Sequence, residues 1–494
     1  MKQLIFAILV SLCSLASAAD LYVGRAICDI TPDKPILLAG QFHPRVSKGV
    51  QYPIQANVIA LESRDGDSSL DSAVVVGFDL AHAPAAILRP VIEEIRKTVP
   101  DLDVSKLLFC GTHTHTSATL SDKSYPFQNQ GEMRPSEYIA WAAPRIAQSV
   151  KQAWESRKKG KFSYGLDYAV VALNRRAVYA DGSAVMYGPT NTPNFRAVEG
   201  MEDHDVNTLF FWDESDKLVA MMINVSCPSQ EVESNYLISS DYWGPTRQSL
   251  RAKHGEDVAI LGMCGAAGDL SPHLRYMQQA TYRMDGLRGL DRLKELARRI
   301  VNAVESTYEA VQNDKQANPV FKHETKWVTL PRRIPTETEY NNCKAEYERR
   351  KDNPNDGQRR WNKQVVDFYE SLKDNPNPTY DTTFNVLRIG DCAICTNTFE
   401  LYTDFAIQIK ARSKATQTLV VQLAAGAGKP SETEKAEDGK PYPWTFIEIN
   451  GSYLPSERAV QGGGYGAVIQ SNRVGPEGGQ ILVEETLKTI NGMF

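Results

Sequence analysis

The chain has 494 residues, of which 42% are hydrophobic and 23% charged, and its formal net charge at pH 7 is −5. This length allows two or three average domains or one large enzyme fold. The charges are mixed in sign and form no basic stripe, which argues against a nucleic-acid-binding protein.

The first 18 residues have the pattern of a signal peptide. Lys2 supplies a positive charge, residues 4–15 form an apolar core, and Ala16-Ser17-Ala18 forms a small-x-small cleavage site. The apolar run is too short to span a membrane, and no later stretch is long and apolar enough to do so. We therefore expect an exported protein, periplasmic or secreted, whose mature chain covers residues 19–494.

Strand-like and helix-like segments alternate along the chain, which predicts an α/β fold with mixed sheets and flanking helices. The predicted strands are 56–61, 73–78, 107–111, 162–173, 206–211, 217–225, 258–262, 384–389, 393–396 and 418–423. The predicted helices are 85–99, 138–157, 241–254, 287–312 and 399–412. A strongly charged segment at about 336–375 indicates an exposed helical insertion, and 426–439 a polar loop. No linker is evident, so we expect one large domain.

The predicted strand at 107–111 ends in Thr112-His113-Thr114-His115. In an extended backbone alternate side chains share a face, so His113 and His115 would lie side by side. Two imidazoles in this position favour a metal ligand beside a proton-handling neighbour. A polar turn with incidental histidines is the alternative, and the pattern alone does not decide between them.

Four further stretches combine strand ends or glycine-rich loops with polar groups. They are Asn224 to Glu231, Cys264 to His273, Cys395 to Glu400, and Asn450 to Pro455 followed by Gly462-Gly463-Gly464-Tyr465. Glu400 would occupy the first turn of a helix, where a carboxylate is favoured. Tyr453 and Tyr465 could reach one pocket. The structural alternatives are a proline-stopped strand, a glycine-rich turn, a helix cap and loop aromatics.

Together these motifs resemble the catalytic N-terminal domain of the neutral/alkaline (non-lysosomal) ceramidase family. The matching elements, in order, are Arg25 to Pro32, Thr112 to His115, Gly268-Asp269-Leu270-Ser271-Pro272, Phe399-Glu400, and Tyr453 with Tyr465. The resemblance spans roughly residues 20–494. It implies a single ceramidase-like catalytic domain and a zinc-dependent amidase that cleaves the N-acyl bond of ceramide.

The resemblance also implies roles for individual residues. The implied zinc ligands are His113, Glu400 and Tyr453. The implied catalytic residues are Ser271 at the scissile amide, His115 in substrate contact or proton transfer, Arg175 on the reacting group, and Tyr465 at the oxyanion.

Two departures from the family pattern bear on function. Cys227, before Pro228, stands where the family has a second histidine ligand. A thiolate is a sound zinc ligand, so Cys227 is a candidate fourth ligand, and loss or exchange of the metal is the alternative. Family members with ceramidase activity usually carry a C-terminal β-sandwich domain, and we expect none here. The substrate therefore stays open between a lipid amide, an acylated sugar and an N-acyl amino acid.

Two classes of function follow. The first is an exported zinc-dependent hydrolase of an amide (N-acyl) or ester bond, in which a metal-bound water or Ser271 attacks the carbonyl. The second is an exported binding protein that keeps the fold without the chemistry, as Cys227 would favour. In both classes the partner is a small-molecule or lipid-like acylated compound, and the oligomeric state is not predicted.

Overall fold

The computed structural model describes residues 19–353, 356–426 and 452–494. The expected signal peptide lies outside the described residues, and so do Asn450, Gly451 and nearly all of the predicted polar loop at 426–439.

The described chain alternates strands and helices. Its strands are β1 (Asp20–Asp29), β2 (Val50–Tyr52), β3 (Gln55–Asp65), β4 (Ser68–Phe78), β5 (Leu107–Gly111), β6 (Lys158–Tyr168), β7 (Leu173–Asn174), β8 (Arg176–Tyr179), β9 (Ala184–Met186), β10 (Phe195–Val198), β11 (Asp205–Asp213), β12 (Leu218–Val225), β13 (Ile238–Ser239), β14 (Ala259–Cys264), β15 (Leu270–Ser271), β16 (Phe321–Pro331), β17 (Thr379–Ile389), β18 (Cys392–Thr396), β19 (Glu400–Leu401), β20 (Gln417–Val421), β21 (Ala424–Gly426) and β22 (Tyr453–Leu454). Its helices are α1 (Ala85–Thr98), α2 (Pro135–Glu155), α3 (Trp243–His254), α4 (Gln278–Arg288), α5 (Arg292–Ala310), α6 (Glu337–Arg349), α7 (Gly357–Ser371), α8 (Thr403–Arg412), α9 (Glu457–Gly462) and α10 (Pro476–Met493).

A nine-stranded mixed sheet forms the centre, in the order β14-β12-β11-β6-β1-β3-β4-β5-β21. Its parallel pairs are β4 with β5 and β12 with β14. The sheet is strongly curled, so that strands far apart in the strand order approach each other. A Cβ added to Gly77 of β4 would lie 3.2 Å from Leu261 of β14. In the same region Ile260 N lies 3.4 Å from Asn57 Oδ1 of β3. The curl brings together loops that leave strands far apart in the sheet order.

A second sheet, β16-β17-β18-β20, packs on the first. Alternate residues of β3 separate the layers: Ile59 and Leu61 face the core between the sheets, and Val58 and Ala60 face the core under α1 and α2. Helices α3 and α5 cover another part of the central sheet, and α8 and α10 pack against the second sheet. Strands buried on both faces explain the continuous apolar runs in the sequence.

The mixed α/β class predicted from the sequence is confirmed, but three element boundaries are wrong. The predicted strand 162–173 breaks after Tyr168. The predicted helix 287–312 begins only at Arg292, as α5. Residues 287 and 288 end a separate helix, α4, which was not predicted and which stops at Gly289, whose φ of 67° is in the left-handed region. The predicted helix 399–412 begins only at Thr403, so Glu400 lies in a strand rather than in a first helical turn.

Helices α6 and α7 fall within the charged segment 336–375 and share a small apolar cluster formed by Cys343, Val365, Val366 and Ile469. In the described ranges no helix has both the length and the apolarity needed to cross a membrane. The seven cysteines of the described chain are free thiols.

Candidate active site

The loops that follow β5 and β12 meet through their backbones. His115 N donates to Ser229 O at 3.2 Å, and Ser229 N donates to Thr112 O at 3.2 Å. The loop after β14 joins them through β15, which pairs antiparallel with β7, so that Ser271 lies opposite Leu173. Polar side chains from distant parts of the chain therefore face one pocket.

His113 leaves β5 in a left-handed conformation, with φ of 61°. The extended geometry predicted for the histidine pair is therefore wrong, although the two rings still meet with centroids 4.8 Å apart. His113 Nδ1 lies 2.5 Å from the carbonyl oxygen of Ala81, so Nδ1 carries the proton and Nε2 keeps its lone pair. Burial lowers the pKa of His113 well below its usual value, which favours the neutral ring.

His115 is oriented by two partners. Its Nδ1 lies 2.8 Å from Glu233 Oε2, to which it donates, and Gln230 Nε2 donates to its Nε2 at 2.8 Å. The Gln230 amide is oriented because Arg175 Nη1 donates to its oxygen at 3.2 Å. His115 therefore also presents a lone pair at Nε2.

Glu400 and Tyr453 are register partners in the parallel pair β19 and β22. Burial raises the pKa of Glu400 to about 7, and the nearby Arg175 and a hydrogen bond from Tyr453 oppose the rise. Arg175 Nη2 lies 3.9 Å from Glu400 Oε2. Burial and Glu400 together raise the pKa of the Tyr453 phenol well above its usual value. The structure thus places a carboxylate, a phenol and a guanidinium side by side.

Three potential metal ligands, His113, Glu400 and Tyr453, lie near one another at this site. The two histidine Nε2 atoms lie 3.3 Å apart. The Nε2 lone pair of His115 already accepts from Gln230, so the Nε2 lone pair of His113 is the one available to a ligand. Glu400 Oε2 lies 3.7 Å from His113 Nε2, and the Tyr453 hydroxyl is hydrogen-bonded to the Glu400 carboxylate. These three residues would supply one imidazole nitrogen and two oxygen atoms, which are ligand types that zinc accepts. The raised pKa of the Tyr453 phenol means that it would ligate only if the charge of the ion displaced its proton.

Cys227 is not brought together with these residues. Its Sγ lies 3.4 Å from the carbonyl oxygen of Pro228 and 3.9 Å from that of Val171, within the core under α3 and α5. Burial raises the pKa of this thiol well above its usual value, so the ligating thiolate is disfavoured. Within the described ranges no group of three or more His, Cys, Asp or Glu side chains could hold a metal ion. A metal here would depend on His113, Glu400 and the Tyr453 phenol.

Ser271 is fully buried and lies at the end of a hydrogen-bond chain. Arg175 Nη1 donates to the Tyr187 hydroxyl at 3.0 Å, and that hydroxyl lies 3.2 Å from Ser271 Oγ. Ser271 Oγ also accepts from the backbone N–H of His273 at 3.2 Å. Its partners in the described structure are thus a phenol and an amide, unlike the imidazole of a Ser-His-Asp triad.

Tyr465 stands at the mouth of the pocket with 39% of its surface exposed. Its ring centroid lies 5.4 Å from that of Tyr453, 5.7 Å from Phe42 and 6.0 Å from Trp361. Its carbonyl accepts a hydrogen bond from Arg176 Nη1 at 3.0 Å. The rings of Tyr453 and Tyr465 therefore contact each other within an aromatic cluster that is suited to an apolar part of a ligand.

Four site residues were not singled out from the sequence: Tyr187, Gln230, Glu233 and His273. Gln230 and His273 stand inside motifs that attracted attention for their neighbours. Glu233 follows such a motif by two positions. Tyr187 carries no sequence signal, because its place depends on a left-handed backbone, with φ of 58°, that turns it back towards Ser271.

The chain has the fold of the neutral ceramidases. It is similar to the crystal structure of neutral ceramidase from Pseudomonas aeruginosa, with a TM-score of 0.66 and 14% identity over 96% of this chain and 74% of that chain. It is also similar to a ceramidase complexed with C2, with a TM-score of 0.63 and 13% identity over 96% of this chain and 75% of that chain. No family profile and no curated protein matches its sequence. The resemblance drawn from the motifs is confirmed at the level of the fold.

Proposed function

We propose that this protein is an exported zinc-dependent hydrolase that cleaves an amide (N-acyl) or ester bond in a small-molecule or lipid-like substrate. The observation that carries the proposal is the convergence of His113, Glu400 and Tyr453 with Arg175 and Ser271 in one pocket. The unprotonated Nε2 of His113 lies 3.7 Å from Glu400 Oε2, where both atoms could contact one metal ion. The neutral ceramidase fold supports the same conclusion.

His113, Glu400 and Tyr453 would hold the zinc ion. Bound zinc would polarise the scissile carbonyl and lower the pKa of a water molecule. Arg175 lies against Tyr453 and Glu400, where its charge would stabilise an oxyanion. His115, with its Nδ1–H on Glu233, would accept a proton at Nε2 and pass it to the leaving nitrogen.

Ser271 would either attack the carbonyl or position the attacking water. Its Oγ lies within hydrogen-bond distance of the Tyr187 hydroxyl, and that phenol is itself bonded to Arg175. The hydroxyl of Tyr465 would donate a hydrogen bond to the developing oxyanion. Partial burial of the ring and the nearby Glu400 carboxylate raise the pKa of Tyr465 to about 12, which keeps this donor protonated at neutral pH.

Metal analysis and turnover test the proposal together. We expect stoichiometric zinc in the wild type and zinc loss in His113→Ala. On a panel of lipid amides, N-acyl amino acids and acylated sugars, chelator should abolish turnover. Ser271→Ala should lose turnover while keeping zinc, whereas Ser68→Ala, at an exposed serine, should change neither. Metal-free protein with full activity would refute the metal-dependent mechanism.

A binding protein without chemistry is the second candidate, and the position of the Cys227 thiol in the core favours it. This candidate predicts no stoichiometric zinc and no turnover on any substrate of the panel, together with thermal stabilisation by a specific acylated ligand. Turnover that a chelator abolishes would exclude it.

Export and domain organisation are also proposals. We propose cleavage after Ala18, a catalytic domain at 19–494 and an insertion into it at about 336–375. N-terminal sequencing of the exported protein tests the cleavage, and a mature chain that begins at Met1 would contradict it.

A further inference from the structure

Arg275 is a half-buried arginine that contacts the wall of the candidate active site. Its guanidinium carbon lies 5.5 Å from the centre of the Tyr187 ring, and its Nη2 donates to the carbonyl oxygen of Gly188 at 2.5 Å. Burial lowers the pKa of Arg275, and the phenols of Tyr187 and Tyr179 oppose the shift. Within the described residues this guanidinium forms no ion pair with a carboxylate. Its positive charge therefore lacks an anionic partner.

Two carboxylates near this wall have other partners. Glu233 places one oxygen 2.8 Å from His115 Nδ1 and the other 3.6 Å from His273 Nδ1. Glu202 is hydrogen-bonded to Tyr276, the residue after Arg275, and it also accepts a backbone N–H at 2.9 Å. The two carboxylates are thus oriented by histidine, tyrosine and amide groups, and neither one neutralises the guanidinium of Arg275.

Arg275 lies close to the proposed reaction centre. The Tyr187 hydroxyl lies 3.2 Å from Ser271 Oγ, so a single phenol ring separates Arg275 from Ser271. The other arginine of the site, Arg175, is already engaged: its Nη1 donates to the Tyr187 hydroxyl at 3.0 Å, and its Nη2 lies 3.9 Å from Glu400 Oε2. Of the two guanidinium groups beside Tyr187, that of Arg275 is therefore the one available to an anion.

An unpaired guanidinium beside a scissile amide suits a carboxylate of the substrate. The N–H donors of arginine lie in one plane and match the two oxygens of a carboxylate. In an N-acyl amino acid the carboxyl carbon lies ~2.5 Å from the amide nitrogen, so a group that binds the carboxylate must stand close to the scissile bond. An amide of an amino alcohol, or an acylated sugar without an acidic group, would leave the guanidinium unpaired.

We propose that Arg275 binds the carboxylate of an N-acyl amino acid and so holds the amide bond of this substrate beside Ser271. The inference rests on the proposed hydrolase function and narrows its substrate class. Water adds its hydroxyl to the acyl carbon and a proton to the nitrogen, so the products are a carboxylic acid and a free amino acid. Arg275 contacts the amino acid and takes no part in proton transfer.

A pair of substrates that differ only in charge tests the proposal. We expect the wild type to hydrolyse N-octanoylglycine with a kcat/KM about tenfold above that for N-octanoylglycinamide, mainly through a lower KM. Arg275→Gln should abolish this preference, and Arg275→Lys should retain part of it. The matched control is Arg145→Gln, which should keep the preference, because Arg145 also lies over an aromatic ring, at 4.2 Å, and donates to a carbonyl at 2.8 Å.

Equal losses on the two substrates in Arg275→Gln would overturn the proposal, because Arg275 would then only hold the turn at Tyr187 and Gly188. So would a wild type that shows no preference for the acid, or that hydrolyses lipid amides but not N-octanoylglycine. Turnover of no acylated substrate would refute the hydrolase function alone. Calorimetry would then decide: tighter binding of N-octanoylglycine than of N-octanoylglycinamide, lost in Arg275→Gln, supports the carboxylate site, and equal binding of the two refutes it.

Discussion

Gly40 lies against the ring of His115, and we predict that Gly40→Ala lowers activity about a hundredfold because the added methyl group displaces that ring. A Cβ at position 40 would lie 2.2 Å from His115 Cγ and 2.5 Å from Nδ1, far inside van der Waals contact. The φ of Gly40 is +93°, which side-chain-bearing residues rarely adopt.

The loop that carries Gly40 cannot easily retreat from the ring. The buried guanidinium of Arg45 donates to Ala39 O at 2.6 Å and to His115 O at 2.7 Å, so it holds both sides of the contact. The ring must therefore move, which breaks its hydrogen bond with Glu233. Overpacking of this kind costs ~1–3 kcal/mol, and the unfavourable backbone conformation adds ~1–2 kcal/mol. Displacement of a catalytic group by about 1 Å costs roughly a hundredfold in rate.

Gly66→Ala is the matched control, because Gly66 has a φ of +59° with nothing within 4 Å of the added Cβ. In urea unfolding we expect Gly40→Ala to lose about 2–5 kcal/mol and Gly66→Ala only about 1–2 kcal/mol. Turnover of the best substrate in the panel should fall about a hundredfold in Gly40→Ala alone. Equal losses of stability and activity in the two variants would refute the steric argument.

Three further variants test separate parts of the structure. Arg176→Lys should lower the unfolding free energy by about 3 kcal/mol. The buried guanidinium pairs with Glu199 and donates to three backbone carbonyls of the segment that carries Tyr465. An unchanged midpoint of urea unfolding would contradict this prediction. Hydrogen bonds from Arg298 and Arg299 lower the pKa of Glu295 from 4.5 to about 2. The contribution of ionised Glu295 to the unfolding free energy is therefore complete above pH 4.5 and is lost as the pH falls from 4.5 to 2. Glu295→Gln should make the unfolding free energy less dependent on pH in that range, as measured by urea unfolding. Cys227→Ala should keep the zinc content of the wild type. Loss of zinc in this variant would show that the Cys227 thiol is a metal ligand.

The fold class and the principal motifs were predictable from the sequence because they depend on local patterns. Apolar runs at strand and helix periodicity reveal which segments are buried, whatever they contact. The motifs around His113, Ser271 and Glu400 stand at strand ends, and their order along the chain indicated the neutral ceramidase fold that the structural comparisons confirm.

The geometry of the site was decided only by the tertiary structure. His113 and His115 meet because a left-handed residue turns the chain after β5, and not because they share a strand face. Glu400 faces Tyr453 because β19 and β22 pair across more than fifty residues of sequence. The direction of the Cys227 thiol follows from packing in the core under α3 and α5. The direction of a side chain at a strand end depends on one or two backbone angles and on long-range contacts. Backbone angles at single residues and long-range contacts produce no periodic pattern in the sequence, so they could not be predicted from it.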